Sequence, residues 1–275
     1  MNNIWRKTRT VVVANPKGSA GKTPTTANIG AAFGDVRGGG VCAWDNNETM
    51  GTLGQRTVPA RFNTTVLDLL ANLSQFERID AKKGELSGFM RPQESGQYHV
   101  LASDDDPAQM IQIGAEEFAR IHTVLTRYYD VLVVDTGNNS RAENFVAAID
   151  AADALVIPTR WSEDCVTRAG KLVDQLRASG HGDLVERAVT VVTGPPATEA
   201  TADDIRTWRA WFTETTAAVV DIPMDKHIGG GGPIVHEHLA PAARRAYLSV
   251  AARVAEQFTA AEEASAFRSI KEKSA

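Results

Sequence analysis

Cysteine is nearly absent from this sequence, with Cys42 and Cys165 the two present. Neither belongs to a C-x-x-C pair, which argues against a disulfide framework and a thiolate metal site and favours a reducing compartment. A run of about 18 apolar residues is missing, so no segment is expected to span a bilayer. The start, Met1 to Lys7, carries a basic pair but no long apolar region, so a secretory leader is not expected. A strong charge of either sign is lacking too: Lys and Arg number 29 against 34 Asp and Glu, for a net −5. Overall electrostatics therefore supply no pull toward nucleic acid or anionic membrane. These absences predict a cytoplasmic protein, and 275 residues can bury a core without covalent staples.

What is present is a series of short, β-branched, nearly continuous apolar runs, as strands buried on both faces should be. They are Val11–Ala14, Gly40–Trp44, Tyr98–Leu101, Val131–Val134, Ala154–Ile157, Val189–Val192 and Ala217–Val220. Helical spacing lies between them over 25–36, 115–128, 167–179, 202–215 and 241–264. Alternation of this kind, without hairpin signals, predicts an α/β fold: a three-layer, doubly wound, mostly parallel sheet. One domain over 1–275 is expected, with an irregular helical insertion at about 54–96. The run Gly229–Gly232 before Pro233 reads as a loop ahead of the last helix.

The first strand runs into Asn15-Pro16-Lys17-Gly18-Ser19-Ala20-Gly21-Lys22-Thr23, and a helix follows. Strand, small-residue loop and helix are the context in which a phosphate loop is credible. Gly18, Ser19, Ala20 and Gly21 let the backbone wrap so that N–H groups aim at phosphate oxygens, and the helix N-terminus adds partial positive charge. Lys22 is placed to reach β/γ-phosphates and Thr23 to ligate Mg²⁺. ATP and Mg²⁺ are the expected ligands. A glycine-rich turn with two solvated lysines is the bland alternative.

The strict pattern G-x-x-x-x-G-K-[ST] requires glycine where this chain has Pro16. The form K-G-x-x-G-K-T resembles the deviant Walker A motif of the ParA/MinD family of P-loop ATPases. The resemblance implies that Lys17 crosses a homodimer interface to the partner's nucleotide. Pro24 stands where that family prefers Thr or Ser. It costs no helical bond in a first turn but removes an N–H and a hydroxyl from the α-phosphate region.

Two acidic positions follow strands. Tyr129-Asp130-Val131-Leu132-Val133-Val134-Asp135 resembles the family's Walker B segment, which implies that Asp135 holds Mg²⁺; a capping aspartate is the alternative. Asp45-Asn46-Asn47 falls where the family shows D-x-D, so Asn47 replaces the aspartate that orients the attacking water. An amide positions water but takes no proton, so a slow ATPase is expected, with Lys17, Lys22, Asp45 and Asn47 as the catalytic set and Glu48 or Asp45 as compensating carboxylates. By the same resemblance, Thr193 and Pro223 lie in the segments that contact the base.

The resemblance implies ATP-dependent dimers that bind DNA nonspecifically, position or segregate it, and answer to a ParB-type adaptor, with nucleoid association. Residues 244–275 hold six basic side chains against four glutamates, and Arg244, Arg245, Arg268 and Lys271 are the candidate phosphate contacts. A solvated helix of mixed charge is as good a reading of that segment. The tail offers too little apolar area for membrane attachment. Two other readings stay open: a nucleotide-binding switch with little or no hydrolysis, or MinD-like positioning of another cargo; and a small-molecule enzyme or cluster carrier on the same fold.

Overall fold

The computed structural model describes Trp5 and residues 7–47, 51–103 and 113–273, with side chains as far as residue 259. Glu48, Arg268 and Lys271 thus have side chains outside the described set. Eight strands form one sheet: β1 (Arg9–Val13), β2 (Val41–Asn46), β3 (Arg91–Gln93), β4 (Tyr98–Leu101), β5 (Val131–Thr136), β6 (Ala154–Thr159), β7 (Val189–Val192) and β8 (Ala218–Asp221). Their order is β3-β4-β2-β5-β1-β6-β7-β8. Every pairing is parallel except β3 with β4.

Helices cover both faces. On one lie α1 (Lys22–Arg37) and the long helix from Pro241 to Lys273, which share an apolar layer of Ile29, Phe33, Tyr247, Val250, Val254 and Phe258 with the sheet. Trp5 packs edge-on to Phe258 at 4.9 Å and so joins this layer, a contact of about 0.5–1.5 kcal/mol beyond its area burial. The other face carries helices 115–125, 143–150, 163–178, 182–186 and 202–215, with the short helices 66–71 and 73–77 of the insertion. Val66, Leu69, Leu73 and Phe76 share that layer with Phe118 and Ile121, so the insertion contributes to the same core.

The hairpin corrects the expectation that none would occur. β3 pairs antiparallel with β4, Gln93 opposite Tyr98, and Gly96 (φ 93°) and Gln97 (φ 46°) take left-handed turns between them. A three-residue strand carrying Pro92 is a suitable edge, since proline blunts further pairing. The turn sits directly on α1: a Cβ on Gly34 would lie 1.9 Å from the Gly96 carbonyl oxygen. Helix 143–150 was not anticipated, and helix 163–178 begins four residues before its expected start. Among the described residues, no helix is long and apolar enough to cross a membrane.

Candidate functional site

β1, β2 and β5 are neighbours in the sheet, and their carboxyl ends deliver the candidate residues to one place. Open parallel sheets bind ligands beyond such ends. After β1 the chain turns through Ser19 (φ 67°) and Gly21 (φ 90°) before α1 starts at Lys22. Left-handed backbone at Gly21 suits glycine, and the space is closed as well: a Cβ there would lie 2.4 Å from Thr193 Oγ1. The Thr193 hydroxyl donates to the carbonyls of Ala20 (3.2 Å) and Thr159 (3.3 Å). Thr193 therefore buttresses the loop from β7. Pro223 lies in the exposed turn after β8, beside Met224.

Asn15 ties the base of the loop, its amide donating to the Pro158 carbonyl at 2.7 Å and its oxygen accepting from Lys17 N–H at 2.9 Å. Gly18 and Ser19 are exposed, and among the described residues no hydrogen bond uses the backbone N–H of Gly18, Ser19, Ala20 or Gly21. Lys22 is buried, and its ammonium donates to Asn15 O (2.9 Å), Lys17 O (3.3 Å) and Asn138 Oδ1 (2.7 Å). Pro24 is half-buried in the first helical turn, its carbonyl accepting from Asn28 at 2.8 Å.

Thr23 donates to Asp135 Oδ2 at 2.7 Å and meets the Thr52 hydroxyl at 2.9 Å. Asp135 is buried, and its Oδ1 has no hydrogen-bond partner among the described residues. In register across β2 and β5, Asp45 stands opposite Asp135. Burial and the Asp45 charge push the Asp135 carboxyl up to about 7, against the pull of Thr23 and Lys22. A carboxylate in these surroundings would be stabilised by a cation. Among the described residues no group of three or more His, Cys, Asp or Glu could hold a metal. One carboxylate and one hydroxyl suit Mg²⁺, which keeps waters and takes phosphate oxygens for the rest of its shell. The residues present therefore fit Mg²⁺ with a polyphosphate.

Asp45 Oδ2 accepts from Leu53 N–H and Ser103 Oγ, both at 3.0 Å, so it anchors the chain that follows β2. Asn47, half-buried, lies just past the strand end. Asn46 and Asn144 exchange side-chain-to-carbonyl bonds of 3.1 Å each way, clasping β2 to the helix after β5. Lys17 pairs within its own chain, its Nζ 2.9 Å from Asp164 Oδ2. That contact and the Ser162 hydroxyl hold the Asp164 carboxyl down to about 2. Arg245 is exposed and Arg244 half-buried; with Leu248 they line a groove of about 280 Å³ between α1 and the last helix.

Asn138, Thr52, Ser103 and Asp164 were not singled out from sequence. Asn138 lies three residues past Asp135, and that position in the β–α loop is the one signal that could have found it.

No family model matches the chain. The ESX-1 secretion-associated protein EspI of Mycobacterium tuberculosis is 27% identical over 266 residues, covering 90% of this chain and 36% of that protein. The chain thus spans about a third of the length of the curated relative it matches. A ParA family ATPase from Chlorobium tepidum superposes with a TM-score of 0.71 at 17% identity, covering 89% of this chain and 98% of the other. The septum site-determining protein MinD of Pyrococcus horikoshii, complexed with Mg-ADP, gives 0.68 at 21% identity, covering 89% and 94%. The fold is ParA/MinD-like.

Proposed function

We propose that this chain is an ATP- and Mg²⁺-dependent switch of the ParA/MinD type, a slow ATPase that closes as a homodimer. The observation that carries the reading is the union of Lys22, Thr23 and the buried Asp135, which Thr23 hydrogen-bonds, at the mouth of one loop with left-handed backbone. Backbone N–H groups of Gly18 to Gly21 bind phosphate oxygens, and Lys22 neutralises charge on the β/γ end. Thr23 and Asp135 hold Mg²⁺, which supplies charge neutralisation on the phosphates when bound. Asn47 orients water without accepting its proton, which keeps turnover low. Lys17 leaves Asp164 to reach across the dimer, so closing exchanges an exposed intrachain ion pair for a buried one.

DNA is one cargo that fits, through Arg244 and Arg245. The likeness to EspI over nine-tenths of the chain supports a second reading, in which the same switch serves a protein-secretion apparatus. Light scattering with and without Mg-ATP tests the dimer. A mass that doubles with nucleotide in the wild type but not in Lys17→Ala supports the reading, and a mass indifferent to nucleotide refutes it. Retention of random DNA at low salt, lost in Arg244→Ala/Arg245→Ala, selects the DNA cargo; no retention selects the second reading.

A further inference from the structure

A lysine ammonium has three N–H donors, and that of Lys22 donates to at least three oxygens among the described residues. Two are carbonyls of the phosphate loop itself, Asn15 O at 2.9 Å and Lys17 O at 3.3 Å. The third, Asn138 Oδ1, is the shortest at 2.7 Å and belongs to a side chain of a different loop. The other end of that amide lies over the phosphate loop, its Nδ2 being 3.9 Å from where a Cβ on Gly18 would stand. The Asn138 amide thus spans the mouth from Lys22 to Gly18, the path along which phosphate oxygens would approach.

The loop around Asn138 is pinned on both sides. Thr136 Oγ1 donates to Val13 O at 3.0 Å. Ser140 and Gln175 exchange two bonds of 2.7 Å. Between these anchors stand Gly137, Asn138 and Asn139. Beyond the exposed Asn138 opens a cavity of about 530 Å³, walled by Pro16, Arg141, Arg168, Lys171 and Asn138 itself. A displaced amide has somewhere to go.

We propose that Asn138 is a built-in competitor for the polyphosphate. Its amide oxygen occupies the Lys22 ammonium and is expelled toward the cavity when a phosphate oxygen takes its place. The backbone carbonyls cannot yield this place, because the loop carries them. Asn138 therefore sets the affinity for phosphate and reports its arrival to the wall formed by Arg141, Arg168 and Lys171. This inference rests on the nucleotide-binding reading above.

Calorimetric titration of ADP and of inorganic tripolyphosphate into the wild type, Asn138→Ala and Asn138→Asp tests it. A hydrogen bond to a charged group is lost in the alanine variant and partly replaced by water, so both ligands should bind about three- to tenfold tighter. The aspartate variant sets a carboxylate on Lys22 and against the incoming anion, so binding should weaken about tenfold or more. Because Asn138 is exposed, both variants should melt within about 2 °C of the wild type. In spectra of the ¹⁵N-labelled protein, the side-chain amide signal that Asn138→Ala removes should shift on adding tripolyphosphate. Wild-type binding with equal or weaker binding by Asn138→Ala overturns the inference and leaves the nucleotide reading standing. No binding by the wild type overturns both.

Discussion

Asp45 and Asp135 face each other in register across β2 and β5, both buried, and burial together with the first pushes the carboxyl of the second well above the usual carboxylate range. Two buried carboxylates in register on adjacent strands, whose backbones run about 5 Å apart, make a poor structural element and a good cation site. Replacing Asp135 by Asn should therefore raise the stability of the nucleotide-free protein at pH 8, because it removes a buried like charge from beside Asp45. The same variant should lose any Mg²⁺-dependent gain in melting temperature. Thermal melts with Mg²⁺ or EDTA check both; a destabilised apo variant would contradict the arrangement.

The pH dependence follows with a definite sign. A carboxyl raised from its ordinary 3.8 to about 7 binds more protons folded than unfolded between those values. Its contribution to stability therefore falls as pH rises through that window. Metal binding runs the other way, because Mg²⁺ needs the ionised form. The increase in melting temperature produced by Mg-ADP over ADP alone should be larger at pH 8 than at pH 6. Equal increments at the two values would remove Asp135 from the metal site.

Gly21→Ala tests the loop geometry. The left-handed backbone and the Thr193 hydroxyl 2.4 Å from the new Cβ combine strain and overlap, for a cost of about 1–3 kcal/mol. Nucleotide binding should fall with it. A second substitution, Thr193→Ser, leaves the hydroxyl but removes the methyl that also lies close, and should recover part of the stability. Chemical denaturation of the single and double variants reads this out.

Much of this architecture was legible in the sequence, and for an identifiable reason. β1, β5, β6 and β7 are buried on both faces, so their apolar runs are continuous and bounded, and Asp135 stands out as the polar residue that ends one of them. β3 was invisible because an edge strand of Arg-Pro-Gln has neither the apolar run nor the alternation of a strand; its partner and the seat of its turn on Gly34 define it. Helix 143–150 is too short for its period to stand out between two loops. The Lys17, Lys22 and Thr23 positions were readable because their chemistry depends on local spacing. Asp164 and Thr52 were not, since each meets the loop from a distant part of the chain and such contacts leave no spacing to read, while Asn138 left only its place three residues past Asp135.

Asn47→Asp should raise steady-state ATP turnover by about 10-fold or more, less than the roughly 10²–10⁴-fold of a positioned general base because phosphoryl transfer depends mostly on positioning and charge. Phosphate release measured at saturating Mg-ATP decides it. Unchanged turnover would mean that hydrolysis is limited elsewhere, and would favour the reading in which nucleotide exchange alone drives the switch.

The central claim is that polyphosphate and Mg²⁺ are held together by Lys22, Thr23 and Asp135, and isothermal titration of Mg-ATP into the full chain addresses it directly. One saturable site per chain is predicted, weakened at least 10-fold by Lys22→Ala, the loss expected when a hydrogen-bonded charge pair is removed. Affinity should also become indifferent to Mg²⁺ in Asp135→Asn. Binding that is absent in the wild type, or that survives both substitutions unchanged, would contradict the account.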